Sequence, residues 1–293
     1  MVRSVILSAS NSCFVACPGC YNHFGDSIAD TTAVIAFVTE LRQRIGLEKI
    51  TVGGGDPLTR SDIVDLLAEL RALELRIHLD TVGTAFLRDA QVHFMGRGTA
   101  RQVDPAAVAR LVELLGIPLD GSTDEIFRRF RRFSSVTEQE KILTILDTVG
   151  AAVCVNTVVH QGNVTDLERI ASLILQHPSV HEWQLFQFMP IGPLGHRNRA
   201  RFEISEEVFS TAVNQLNEVV PSAVRLTPKT ASRRKNRYLL IDSAGVVWIP
   251  RQHNSDSWRD EDTNGARVTV GTIFHVATLD RITEIITVPT HRN

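Results

Sequence analysis

Short apolar runs rich in β-branched residues alternate with amphipathic stretches of helical period from the start of the chain to about residue 190. This alternation is the strongest constraint on the fold. Parallel neighbours can be joined only by a connection long enough to cross the sheet, so the pattern predicts parallel strands with helical crossovers. Residues 5–7, 49–52, 75–80, 117–120, 151–159 and 183–189 read as strands, and 31–44, 61–73, 104–115, 138–149 and 166–176 as helices. Ser61 is the expected N-cap of the second helix, and Asp104-Pro105 opens the third. Segment 86–102 is irregular and contains glycine. Six strand-helix units of this size predict an α/β fold, a partial (β/α)6 TIM-like barrel, since a closed eightfold barrel usually takes about 250 residues.

Composition changes after Pro190, which places a barrel domain at residues 1–190 and a C-terminal α+β region at 191–293. Residues 191–201 read as a Gly-, Pro- and Arg-rich connector, 205–219 as a helix, and 237–249 as two strands around Ser243-Ala244-Gly245. A loop at 258–265, a strand at 268–274 and a helix at 279–286 follow. The 31 basic and 33 acidic side chains nearly cancel, to a net charge of −2, leaving no global positive field to draw nucleic acid. No run is long and apolar enough for a membrane span, and the N-terminus does not read as a signal peptide, so a soluble cytoplasmic chain is expected.

Three of the four cysteines, Cys13, Cys17 and Cys20, follow the first strand at C-x-x-x-C-x-x-C spacing. So tight a loop can turn three thiolates toward one point, as an iron-sulfur cluster requires. A structural zinc site completed by His23 satisfies the same spacing and would make the chain a zinc-stabilised, non-enzymatic binding protein. Gly53-Gly54-Gly55-Asp56-Pro57 follows the second strand at the same end of the sheet. Ligands of α/β sheets collect beyond the carboxyl ends of the strands, and glycines admit close approach, so the two loops imply one shared site.

The cysteine loop followed by Gly54-Gly55-Asp56-Pro57 resembles the radical S-adenosylmethionine (SAM) superfamily. The resemblance implies one [4Fe-4S] cluster on Cys13, Cys17 and Cys20, with SAM on the remaining iron, its amino group met by the loop of Gly54, Gly55 and Asp56. It further implies reductive cleavage of SAM to a 5′-deoxyadenosyl radical that abstracts a substrate hydrogen. Asp56 stands where Glu is more frequent, and Gly19 where an aromatic is common, which leaves adenine packing to Tyr21. Asp80-Thr81-Val82-Gly83-Thr84 resembles the family's D-T-N-G-T segment and Leu119-Asp120-Gly121-Ser122 its L-D-G-S segment, which add Thr81 and Ser122 to the SAM site. Arg131 falls where an Arg meets the methionine carboxylate, although the run 128–132 reads equally as a solvated helix face. Asn156 lies on a strand that resembles one facing SAM, and strand alternation puts Cys154 on the same face. A lone inward thiol there could donate a hydrogen atom to a substrate radical. The competing reading is a space-filling buried cysteine.

Residues 240–248 and 270–273 resemble the frame of the SPASM and twitch extensions, whose cysteines hold auxiliary clusters, yet no cysteine follows Cys154 here. The resemblance therefore implies a single cluster and a redox-neutral or reductive outcome such as epimerisation or dehydration. Residues 229–242 also resemble the C-terminal region of viperin, which makes Arg233, Arg234, Lys235 and Arg237 candidate substrate-binding residues. With the cysteine loop beginning at residue 13, no peptide-recognition domain is expected ahead of the first strand. The expected substrate is a small polar molecule of specialised metabolism such as antibiotic biosynthesis (a sugar, aminoglycoside or nucleotide), with flavodoxin or ferredoxin as electron donor. A radical SAM enzyme that modifies a peptide or protein is the alternative.

Overall fold

The computed structural model describes residues 4–22, 27–234, 239–250 and 267–287. The first half runs β1 (Ser4–Ser10), α1 (Thr31–Ile45), β2 (Lys49–Gly54), a 3-10 turn (Pro57–Thr59), α2 (Ile63–Ala72), β3 (Arg76–Asp80), α3 (Thr84–Leu87), a small hairpin of β4 (Ala90–Gln91) and β5 (Thr99–Ala100), and α4 (Pro105–Leu111). It continues with β6 (Leu114–Pro118), α5 (Asp124–Arg128), α6 (Val136–Thr148), β7 (Val153–Val159), α7 (Leu167–Ile174) and β8 (Val180–Gln187). Then follow α8 (Gly192–Arg197), α9 (Arg199–Phe202), α10 (Glu206–Leu216), β9 (Arg225–Lys229), α11 (Ala231–Arg234), β10 (Leu239–Ile241), β11 (Val246–Pro250), β12 (Arg267–Thr272) and α12 (Ala277–Thr287).

One ten-stranded sheet carries the order β12-β11-β10-β1-β2-β3-β6-β7-β8-β9. The six strands from β1 to β8 lie parallel and in chain order, the arrangement of a partial (β/α)6 barrel. Alternation along each strand separates two environments. Val5, Ile50, Val52, Leu79, Leu115, Ile117, Val153, Val155, Trp183 and Leu185 are wholly buried in one core with Leu41, Leu66, Leu70, Ile142, Leu146 and Ile170 of the helices. The opposite face carries His78, Asp80, Cys154, Asn156, Glu182 and Gln184. His78 on β3 feels the charges of Glu182 on β8 and Lys229 on β9, so the sheet curls until its distant strands face across a bore.

The strands after residue 190 extend this sheet at both edges. β9, which the sequence reading did not foresee, pairs parallel with β8, and β10 pairs parallel with β1. β11 and β12 then add an antiparallel meander, with α12 packed on β12 and α1.

Boundaries differ from expectation in several places, among them the second and third helices and the connector after residue 190. Ser61 does not cap α2. Asp62 occupies the cap position without a capping bond, because its carboxylate is held by Arg60 and Thr31. The helix predicted over 104–115 stops at Leu111, and the following strand is Leu114–Pro118 rather than 117–120. Glu113 accepts from the Ile77 N–H and so pulls the chain into register beside β3. The expected connector at 191–201 contains α8 and α9.

Gly116 shows how closely the bore is packed. It lies on β6 between Asp80 on β3 and Asn156 on β7, and Asn156 Nδ2 donates to Asp80 Oδ1 at 2.7 Å across it. A Cβ on Gly116 would collide with the Asp80 carboxylate and approach Asn156 Nδ2 to 2.5 Å. Gly116→Ala is therefore expected to lower the unfolding free energy by about 1–3 kcal/mol in urea titrations. The penalty should shrink in an Asp80→Ala background, where the main obstacle has gone.

Candidate active site

The cysteine loop leaves the carboxyl end of β1, and a buried guanidinium draws its two ends together. Arg60 donates to Ala9 O at 3.1 Å on one side of the loop and to Ala29 O at 2.9 Å and Thr31 Oγ1 at 3.0 Å on the other. Within the loop Cys13 and Cys17 are buried and Cys20 half-buried, all as free thiols. Burial raises the pKa of each, and for Cys20 burial and then the neighbouring Cys17 push it up to about 12. Cys13 is raised by burial and then by Asp56, Cys17 and Cys20, so the three sulfurs share one pocket. Such thiols give up their protons to a cationic metal centre. No group of three His, Cys, Asp or Glu among the described residues is placed to hold a single metal ion. Three thiols in one buried pocket are the donor set that this loop offers.

The glycine loop packs on the cysteine loop itself. Gly55 N–H donates to Ser10 O at 2.7 Å and Asp56 N–H to Ser12 O at 2.6 Å. Gly54 has φ +117°, and a Cβ there would lie 2.7 Å from Ser10 O, while one on Gly55 would lie 2.7 Å from the Asn11 carbonyl carbon. The close approach for which these glycines make room is thus made by the protein's own backbone. The Asp56 side chain is wholly buried and accepts from Leu58 N–H at 3.0 Å, Thr81 Oγ1 at 2.8 Å and Val82 N–H at 2.6 Å. It ties the loop after β2 to the loop after β3.

Arg131 is not on a solvated face. Its guanidinium, largely buried, pairs with the wholly buried Asp120, donates to Cys17 Sγ at 3.5 Å and lies 5.3 Å from the Phe130 ring centroid. Burial works against its charge, yet Asp120 and Cys17 keep it firmly protonated. Asp120 also accepts from Val158 N–H at 2.6 Å. Ser122 is held by Asp166, which accepts from the serine N–H and its Oγ, each at 2.7 Å. Beside the thiols, Phe130, Phe188 and Phe202 form a cluster with Val15, Val82 and the cysteines. A Cβ on Gly19 would lie 2.5 Å from Phe130 and 2.7 Å from Phe188, so these two rings fill the space beside position 19.

Inside the bore, Cys154 Sγ lies 3.5 Å from Asn156 Oδ1, which confirms that both face inward. The thiol is wholly buried, and burial, then Glu182 and Asp80, raises its pKa well above the ordinary thiol range. Lys229 reaches in from β9 to Gln184.

Residues 7–174 match the Radical SAM superfamily family model. The chain belongs to the radical SAM superfamily. It is 20% identical over 260 residues to a probable GTP 3',8-cyclase of Methanocaldococcus jannaschii, covering 87% of this chain and 78% of that protein. Its fold is that of anSMEcpe with AdoMet and the Cp18Cys peptide bound (TM-score 0.64, 15% identity, 96% of this chain and 80% of that one). It is also that of Streptococcus suis SuiB bound to precursor peptide SuiA, at TM-score 0.67 and 10% identity, over 84% of this chain and 58% of that one. Membership makes the chain an enzyme whose cofactors are a [4Fe-4S] cluster and SAM, and it removes the zinc-stabilised binding protein as a reading.

Of the radical SAM residues anticipated from sequence, the fold brings Cys13, Cys17, Cys20, Gly54, Gly55, Asp56, Thr81 and Arg131 into one connected rim, with Asn156 and Cys154 in the bore beneath. Tyr21 is on the surface, its backbone against Gly192. Arg233 and Arg234 lie in α11, and Lys235, Arg237 and His23 lie outside the described residues. Sequence reasoning missed Arg60, Asp166, Gly116, Phe130, Phe188, Glu182 and Lys229. Phe130, beside Arg131, and Lys229, at the start of the marked stretch 229–242, each had a signal in a motif already noted.

Burial raises the Asp56 carboxyl from 3.8 to about 6 in the fold, against the pull of its three donors. A carboxyl raised on folding binds more protons folded than unfolded, so stability falls as pH rises through that window. Relative to Asp56→Asn, the wild type is expected to lose on the order of 2–3 kcal/mol between pH about 4 and 6. Urea titrations of both proteins at three pH values across that range check it.

Proposed function

We propose that this radical SAM enzyme acts on a small polar substrate held in the barrel bore, with a redox-neutral or reductive outcome such as epimerisation or dehydration. Cys13, Cys17 and Cys20 would hold the cluster, and the rim of Gly54, Gly55, Asp56, Thr81, Ser122, Arg131 and Asn156 would surround SAM. When bound, the two together supply a 5′-deoxyadenosyl radical, with the electron drawn from a flavodoxin- or ferredoxin-type donor. The observation that carries the reading is the inner wall: Asp80, Asn156, Gln184, Glu182 and Lys229 present hydrogen-bonding and charged groups there. Hydrogen-bonding walls discriminate strongly for ligands that satisfy them. Cys154 would give the hydrogen atom of its S–H to the substrate radical, the S–H bond breaking as the C–H bond forms, and one electron from the same donor with one proton would return the thiyl radical to the thiol; burial keeps the S–H form before the transfer. The rim of Phe130 and Phe188 next to Gly19 would supply the apolar surface for adenine in place of an aromatic at that position.

The alternative, modification of a peptide, is supported by the likeness in fold to SuiB, which is recorded with its precursor peptide SuiA. The two readings part on substrate size.

Anaerobic reconstitution with iron and sulfide, followed by dithionite and SAM, should give about four irons per chain, as three cysteines and SAM require, and release 5′-deoxyadenosine by mass spectrometry. Cys17→Ala should lose both. Once a substrate is in hand, Cys154→Ala should keep 5′-deoxyadenosine release but stop turnover to product. Full turnover by that variant would return Cys154 to a packing role.

A further inference from the structure

The bore holds two ammonium groups with no carboxylate at salt-bridge distance among the described residues, although Asp80 and Glu182 lie near enough to Lys229 to favour its charge. Lys229 Nζ donates to the neutral Gln184 amide and lies 4.5 Å from the Phe186 ring centroid. Lys49, at the start of β2, makes no hydrogen bond or ion pair among the described residues. The acids nearby are already engaged. Glu182 accepts from Arg225 and from Thr227 Oγ1 at 2.8 Å, Glu113 from Arg71 and the Ile77 N–H, and Asp80 from Asn156.

Below these groups a cavity of about 430 Å3 opens at the amino ends of the strands, lined by Lys49, His78, Glu182 and Arg225 among others. His78 connects the levels, since it feels Asp80, Lys49, Lys229 and Glu182 together. A mostly buried ammonium whose only partners are an amide and a ring face lacks the charge-assisted bonds that ordinarily accompany burial. Burial depresses the Lys229 pKa against the pull of Asp80, Cys154 and Glu182, and Lys49 adds to the depression, so an anion arriving beside Lys229 favours its charged form.

We propose that the substrate enters the bore with an anionic group, a phosphate or a carboxylate, that pairs with Lys229 and Lys49. The inference rests on the bore being the substrate site. Specificity follows from charge as well as shape: a neutral substrate of equal size would leave both ammonium groups unpaired.

Isothermal titration calorimetry of the anaerobically reconstituted protein tests this, with inorganic pyrophosphate and succinate as separate probes. The wild type should bind at least one, and Lys229→Gln should weaken it about tenfold or more, while Lys229→Arg retains most of the affinity. Pyrophosphate preference assigns a phosphate and succinate preference a carboxylate. Lys49→Gln, on another strand, should weaken binding in the same direction and keeps the test open if Lys229→Gln fails to fold. No binding of either probe, or unchanged binding by the folded Lys229 and Lys49 variants, overturns the proposal. Release of 5′-deoxyadenosine is measured on the same preparation, so radical chemistry without anion binding overturns this inference alone.

Discussion

The site depends on two loops lying so close that no side chain fits between them. With no side chain on Gly54 or Gly55, Ser10 O and Ser12 O accept the amides of Gly55 and Asp56, and the cysteine loop is thereby fixed to the end of β2 by the protein's own backbone. Arg60 completes the arrangement from the other side by closing the mouth of the loop. A long loop carrying three thiols would otherwise have to be ordered by its ligand at considerable entropic cost. Here the scaffold bears much of that cost in advance.

Around this frame the protein buries charges in pairs and carboxylates among donors. Asp120 and Arg131 face each other beside Cys17, and Asp56 and Asp166 each satisfy backbone and hydroxyl groups of neighbouring loops. Buried pairs of this kind contribute little net stability, because desolvation offsets their attraction, but losing one member leaves an uncompensated charge. Their effect is geometric. Each ties the loop after one strand to the loop or strand beside it.

Much of the fold was legible because the pattern of strand and helix is repeated six times, and errors at single boundaries do not disturb the repeat. The cysteine loop and the glycine loop were legible because their spacing is local. What stayed hidden is long-range. Gly116 sits in an unremarkable apolar run, and its meaning appears only when Asp80 and Asn156, from strands on either side, meet across it. Lys229 was read as the first residue of a basic segment, whereas β9 carries it into the bore beside β8. Asp56 and Ser122 were assigned to a ligand by their motifs, while Leu58, Thr81, Val82 and Asp166, the protein groups that hold them, lie in three different parts of the sequence.

The pairing of β10 with β1 sets an order of events for the chain. One side of β1, the strand that launches the cysteine loop, is hydrogen-bonded by Leu239, Leu240 and Ile241. During synthesis that edge therefore stays open until almost the whole barrel has left the ribosome, and closing it joins residues of very high sequence separation, a slow class of contact. The strand that leads into the cysteine loop is thus completed on this edge by residues far along the chain.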